Sequence, residues 1–132
     1  HLLPYCGKNN IGVVCYSPMQ KGLLTGKITR RFMESLDKED HRRRDPDFNE
    51  PRLSVHIWLN EQLEAIAKEL NITPSQLAIA WVLRRPELTS AIVGARKPGQ
   101  ISETAKASGI KLTDDVIERI EEILQDYQNR IN

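Results

Sequence analysis

Several things are scarce in this chain of 132 residues, and each scarcity removes a class of explanation. Net charge is only +1 at pH 7, so no field of one sign is available to hold a nucleic acid or a membrane surface. No apolar stretch is long enough to span a bilayer. The opening His1-Leu2-Leu3-Pro4 has neither a basic n-region nor an initiating Met, so no signal peptide is expected, and it reads as the middle of something longer. Cys6 and Cys15 are the only two cysteines and lack metal spacing or a histidine pattern, so no metal site is expected. Cys15 lies in an apolar run and reads as a buried reduced thiol, which makes a reducing cytoplasm the expected compartment. Two phosphate signatures are also missing. There is no G-x-G-x-x-G, and Gly22 to Lys27 falls one residue short of a Walker A loop, with Ile28 where Ser or Thr is needed.

What is present is a single domain at most, with globular composition. Leu2 to Asn10 reads as a helix ended by the Gly7-Lys8-Asn9-Asn10 turn cluster. Ile11 to Tyr16 is an unbroken apolar run, as expected of a strand buried on both faces of a parallel sheet. Ser17 to Lys27 follows at the strand end, where α/β proteins place ligands. Residues 28–55 are long, irregular and highly charged, and they read either as a solvated loop or as a lid over an anionic ligand. His41 within them reads as solvated.

Helices come next. Leu59, Leu63, Ile66, Ala67 and Leu70 share one face. Thr73 and Gln76 form a capping box with Pro74 at the first helical position, and Leu77 to Leu83 is apolar nearly all round, with Trp81 read as core. Ser90 to Val93 is a second short strand. After it, Gly94-Ala95-Arg96-Lys97-Pro98 leads into a helix expected to bury Ile101, Thr104, Ala105 and Ser108 and to end at Gly109. Free N–H groups at that helix start, beside Arg96 and Lys97, suit an anion, most naturally a phosphate. Thr113 is expected to cap a last helix with Val116, Ile120, Ile123, Leu124 and Tyr127 on one face.

The two strands would be parallel, and two parallel strands cannot close a sheet or satisfy both edges. Self-association through the strand edges, or membership of a larger fold, is therefore expected. Helices packed together with no ligand are the blandest reading.

Two motifs are specific at their separation. Tyr16-Ser17-Pro18-Met19-x-x-Gly22-Leu23-Leu24-Thr25-Gly26-Lys27 and Ala91-Ile92-Val93-Gly94-Ala95-Arg96-x-Pro98-x-Gln100-x-x-Glu103 together resemble the aldo-keto reductase superfamily. Asp40-His41-Arg42 and Gln76-Leu77-Ala78-x-Ala80-Trp81 are similar too. The resemblance covers nearly the whole chain. It implies an α/β fold: the C-terminal part of a (β/α)8 barrel, strands seven and eight, two parallel strands with four or five helices, incomplete as a closed barrel. Residues 1–132 would be one partial domain, with 28–55 its long charged loop. The absence of G-x-G-x-x-G agrees with a barrel.

The same resemblance implies an NADPH site. Tyr16 would stack on the nicotinamide, while Ser17, Pro18, Met19, Gln20, Lys21 and Gly22 would follow the ribose and pyrophosphate. Gly22 permits close approach and Lys27 supplies charge. Gly94 would let backbone come close, and Arg96 would clamp the 2′-phosphate. Gln100 and Glu103 would bond the adenine edge. Thr104 replaces the usual Asn, so one amide contact is lost or replaced by a hydroxyl.

The implied reaction is reduction of an aldehyde or ketone to an alcohol, with a Tyr donating the proton, tuned by Lys, Asp and His on earlier strands. None of the four has a counterpart here, because Tyr5 and Tyr127 lie in helices and Tyr16 is the stacking residue. The chain is therefore expected to hold about half of a cofactor site, no catalytic residue and no turnover by itself. It reads either as a fragment of such an enzyme or as a non-catalytic nucleotide-binding or oligomerising module.

Overall fold

A computed structural model describes residues 2–132, and His1 of the expected 1–132 unit lies outside the described residues. Helix α1 (Leu2–Lys8) leads through a left-handed Asn10 into strand β1 (Val13–Tyr16). Strand β2 (Leu88–Ile92) pairs with it in parallel, with Val14 opposite Ser90 and Tyr16 opposite Ile92. Between them come α2 (Arg30–Ser35), α3 (Arg52–Glu69) and α4 (Pro74–Leu83), and after β2 come α5 (Gln100–Thr104) and α6 (Asp114–Ile131). Six α-helices among the described residues exceed the four or five expected, because the charged segment folds a helix of its own.

Strand β1 is not buried on both faces. Val14 and Tyr16, with Ile92 beside them on the same face, stand in solvent. Two strands cover only what the helices reach, so an apolar run that signals double burial gets single burial. The cysteine expectation reverses for the same reason: Cys15 is half-buried, while Cys6 in α1 is buried, and both are free thiols.

Residues 28–55 are not irregular. Ile28, Met33, Phe48 and Leu53 make a core of their own with Leu23. Short polar side chains close each turn: Thr29 accepts from the Phe32 N–H, Asp40 from Arg42, and Asp45 from Asp47. The Arg43 guanidinium gathers the carbonyls of Glu34, Leu36 and Asp37. The charges face out while a few scattered apolar residues turn in.

The larger core joins α3, α4 and α6 through Ile66, Ala67, Leu77, Val116 and Ile120. The α4 capping box is present as expected, and residues 76–80 are all buried. Trp81 is half-buried on that core, with the Arg84 guanidinium 3.3 Å from its ring centre. Thr113 has extended N-cap geometry but makes no side-chain cap bond; Asp114 and Asp115 answer the helix dipole instead.

Helix α5 departs most from expectation. It starts at Gln100, after a left-handed Gly99, and not at Pro98. Five residues later it tightens into a 3-10 turn, Ala105–Gly109. That change of period moves the buried stripe, so Thr104 and Ala107 are buried whereas Ile101, Ala105 and Ser108 are exposed.

Candidate functional site

The loop leaving β1 is strained. Ser17, Gln20 and Lys21 all take positive φ, at 52°, 46° and 54°, followed by Gly22 at 98°. Non-glycine residues there cost roughly 1–3 kcal/mol each and persist only where the surroundings impose them. Two anchors do so. Leu23 is fully buried, and the buried Asn60 of α3 donates to the Leu23 carbonyl at 2.6 Å. Within the loop, Gln20 N–H bonds Ser17 O and Gly22 N–H bonds Met19 O, at 2.9 and 3.0 Å.

This loop and the one leaving β2 face each other across an open cavity of about 620 Å³. Tyr16, Ser17, Pro18, Met19, Lys21 and Gly22 line one side. Gly94, Arg96 and Gln100 line the other. Gly22 and Gly94 present bare backbone to open space, with nothing within 4 Å of where a Cβ would stand. Tyr16 is 81% exposed at the strand end. The cavity thus offers a flat aromatic surface, close backbone and cations, which suits a long anionic ligand with a ring at one end.

Four expected residues do not line it. Gln20 stands within the strained turn, and Lys27 is exposed beyond Gly26. Glu103 accepts from the Thr73 hydroxyl, tying α5 to the start of α4. Thr104 is buried and its hydroxyl donates to the Gln100 carbonyl at 2.9 Å, so it is spent inside its own helix. The N–H groups of Arg96 and Lys97 are not free either, since both donate to Gln100 Oε1 at 2.7 and 2.9 Å. In a helix as short as α5, attraction for an anion falls to the side chains.

Two residues not expected at the cofactor join the lining: His41, read from the sequence as solvated, and Arg42, both from the segment packed on the second core. Arg42 grips Asp40 with two bonds, of 2.8 and 2.6 Å, and lies 5.3 Å from the Phe32 ring centre. Those hydrogen bonds hold the Asp40 carboxyl well below the usual carboxylate range and raise Arg42. From the opposite side, Lys21 reaches Asp45 at 2.6 Å. This hydrogen-bonded pair raises Lys21 and lowers Asp45, so both stay charged. The signal available for this was the Asp40-His41-Arg42 motif, with Asp40 and Asp45 at the two ends of its turn.

The two helical tyrosines lie elsewhere. Tyr5 is exposed on α1, and the Tyr127 hydroxyl is 3.4 Å from His56 Nδ1, in a half-buried contact between α3 and α6. Among the described residues no group of three His, Cys, Asp or Glu side chains is placed to hold a metal. No described helix is long and apolar enough to cross a membrane.

Comparison with known proteins bears on the family and the fold. The model of the aldo/keto reductase family matches residues 1–125. Aldo-keto reductase YhdN of Bacillus subtilis is 34% identical over 94% of this chain and 37% of its own length. The NADH-specific methylglyoxal reductase of Escherichia coli is 35% identical over 86% of this chain and 33% of its own. The structure of the glycerol dehydrogenase AKR11B4 from Gluconobacter oxydans superposes with a TM-score of 0.84 at 34% identity, over 95% of this chain and 37% of that one. The chain spans about a third of the length of the relatives it matches. It belongs to the aldo/keto reductase family, and its two parallel strands and their helices are part of that family's barrel fold, with the sheet not closed.

Proposed function

We propose that this chain supplies part of the nicotinamide-nucleotide site of an oxidoreductase that reduces aldehydes or ketones to alcohols, and that it prefers NADPH. The observation that carries the reading is the convergence of the β1 and β2 loops on one cavity bearing Tyr16, Gly22 and Arg96. Tyr16 offers its ring to the nicotinamide. Ser17 to Gly22 follow the ribose and pyrophosphate, and Gly94 leaves room for the backbone to approach. Arg96 holds the 2′-phosphate, which NADPH carries and NADH lacks. Gln100 borders the adenine. Gln20, Lys27, Glu103 and Thr104 act as framework or outer charge. When bound, the nucleotide supplies hydride to a carbonyl carbon; this chain's residues bind and orient it, and hold no proton for the carbonyl oxygen. The chain alone therefore turns over no substrate. A small carbonyl compound is the proposed substrate class, a cytoplasmic setting the proposed location, and nucleic acid and membrane are not proposed as partners.

The test is titration of the folded chain with NADPH and, separately, NADH, following the nucleotide's own fluorescence. Saturable binding that favours NADPH, weakened about tenfold by Arg96→Ala, is the expected result. A folded sample that binds neither nucleotide overturns the reading. A second reading, a self-associating module without catalysis, is favoured by the exposed apolar face of Val14, Tyr16 and Ile92. Its solution mass, rising with concentration, decides that.

A further inference from the structure

We propose that Gln100 is the positioning residue for nucleotide selectivity, acting through the backbone of Arg96 and Lys97 to set where the Arg96 guanidinium stands. This inference rests on the cavity being a nicotinamide-nucleotide site, and goes beyond it in assigning selectivity to an uncharged side chain.

The turn from Ala95 to Gly99 is exposed throughout and reverses at Gly99 with φ of 84°. Among the described residues, the side-chain hydrogen bonds reaching its backbone are the two at Gln100 Oε1, from Arg96 at 2.7 Å and Lys97 at 2.9 Å. Both partners are N–H donors, so the amide orientation is dictated: the carbonyl oxygen must face them, and its two lone pairs are then used. One oxygen therefore shapes the turn and aims the Cα–Cβ bond of Arg96.

The helix that carries Gln100 is itself held. Gln76 Nε2 donates to the Glu103 carbonyl at 2.9 Å, the Thr73 hydroxyl donates to the Glu103 carboxylate, and the Thr104 hydroxyl donates to the Gln100 carbonyl. Gln76 is buried and already locked in the α4 capping box. Helix α5 is thus tied to a buried helix start, and from it the Gln100 side chain reaches the exposed turn that carries Arg96. A guanidinium recognises a phosphate as a fork, and needs placement within about half an ångström. A slack turn would keep the charges of Arg96 and Lys97, and so general attraction for an anion, but would lose the fork that tells a 2′-phosphate from a hydroxyl.

The experiment measures Kd for NADPH and for NADH on the full chain, with amide hydrogen exchange at Arg96 and Lys97, in wild type, Gln100→Leu and Gln100→Glu. Gln100→Leu is expected to lower the NADPH-over-NADH affinity ratio about tenfold and to speed exchange at both amides. Gln100→Glu is expected to keep both amides slow, because a carboxylate oxygen accepts the same two bonds. Should Gln100→Leu fail to fold, Gln100→Ser, too short to reach either amide, is read in its place. A ratio within about twofold of wild type in the Leu or Ser variant overturns the inference while the NADPH reading stands. Fast amides in Gln100→Glu overturn it too. Wild type that binds neither nucleotide brings down the reading of the cavity, and this inference with it.

Discussion

The helical side of the molecule and the strand-end side are built on opposite terms. Around α3, α4 and α6 the apolar residues form a shared core, the α4 capping box is closed, and on the surface Arg119 forks onto Glu69 at 2.9 and 3.0 Å. Around the ends of β1 and β2, large apolar side chains face water, non-glycine residues sit at positive φ, and cations gather round open space. Stability concentrates on the first side, and strain with open space on the second. The difference shows how a site can be costly locally and still be held, because the cost is carried by anchors that belong to the other side.

The largest expected effect tests the helical side. Leu77 is almost fully buried between α4 and its neighbours. Leu77→Ala should destabilise the fold by about 2–5 kcal/mol, read as a lowered urea midpoint. A loss below about 1 kcal/mol would mean that the side is less tightly packed than the burial implies.

Next comes the anchor that joins the two sides. Asn60 Nδ2 bonds the carbonyls of Leu23 and His56, at 2.6 and 2.9 Å, within the buried interior. Asn60→Leu should cost about 1–3 kcal/mol, because the Leu23 carbonyl loses its partner and the strained loop its tie. The informative part is selective: protease should cut between Ser17 and Thr25 sooner in the variant than in wild type. Uniform loosening of the whole chain would instead argue that the loop does not lean on α3.

The smallest effect is a pH dependence. His56 is buried, its Nε2 has no hydrogen-bond partner among the described residues, and it is faced by Asp47 at 3.8 Å, by Tyr127, and more distantly by Arg52 and Asp45. Burial pushes its pKa below the ordinary 6.5, and Asp47 offsets this only in part. Between that lowered value and 6.5 the unfolded chain binds more protons than the folded one. Stability should therefore be full above about pH 6.5 and fall as the pH drops below it. Urea midpoints at about pH 7.5 and 5.5 should differ more for wild type than for His56→Gln. Equal differences would remove His56 from the account, and the carboxylates with lowered pKa lose their contribution only at lower pH.

Legibility followed the range of the interactions. The α4 capping box could be read because Thr73, Pro74 and Gln76 meet within one turn, and the stripe of α6 because 3.6-residue spacing is local. The core inside 28–55 could not, since Leu23, Ile28, Met33, Phe48 and Leu53 are spread along the chain without a helical or strand period and meet only in the fold. Nor could the engagement of Glu103 with Thr73, thirty residues away. The sequence by itself determined the family, the two strands and the residues of both loops, because these are properties of local pattern and motif. Only the tertiary structure decided which of those residues share a cavity, that Arg42 joins them, and that Gln100 grips the turn before it. Those outcomes depend on distances across the chain, which no local propensity encodes.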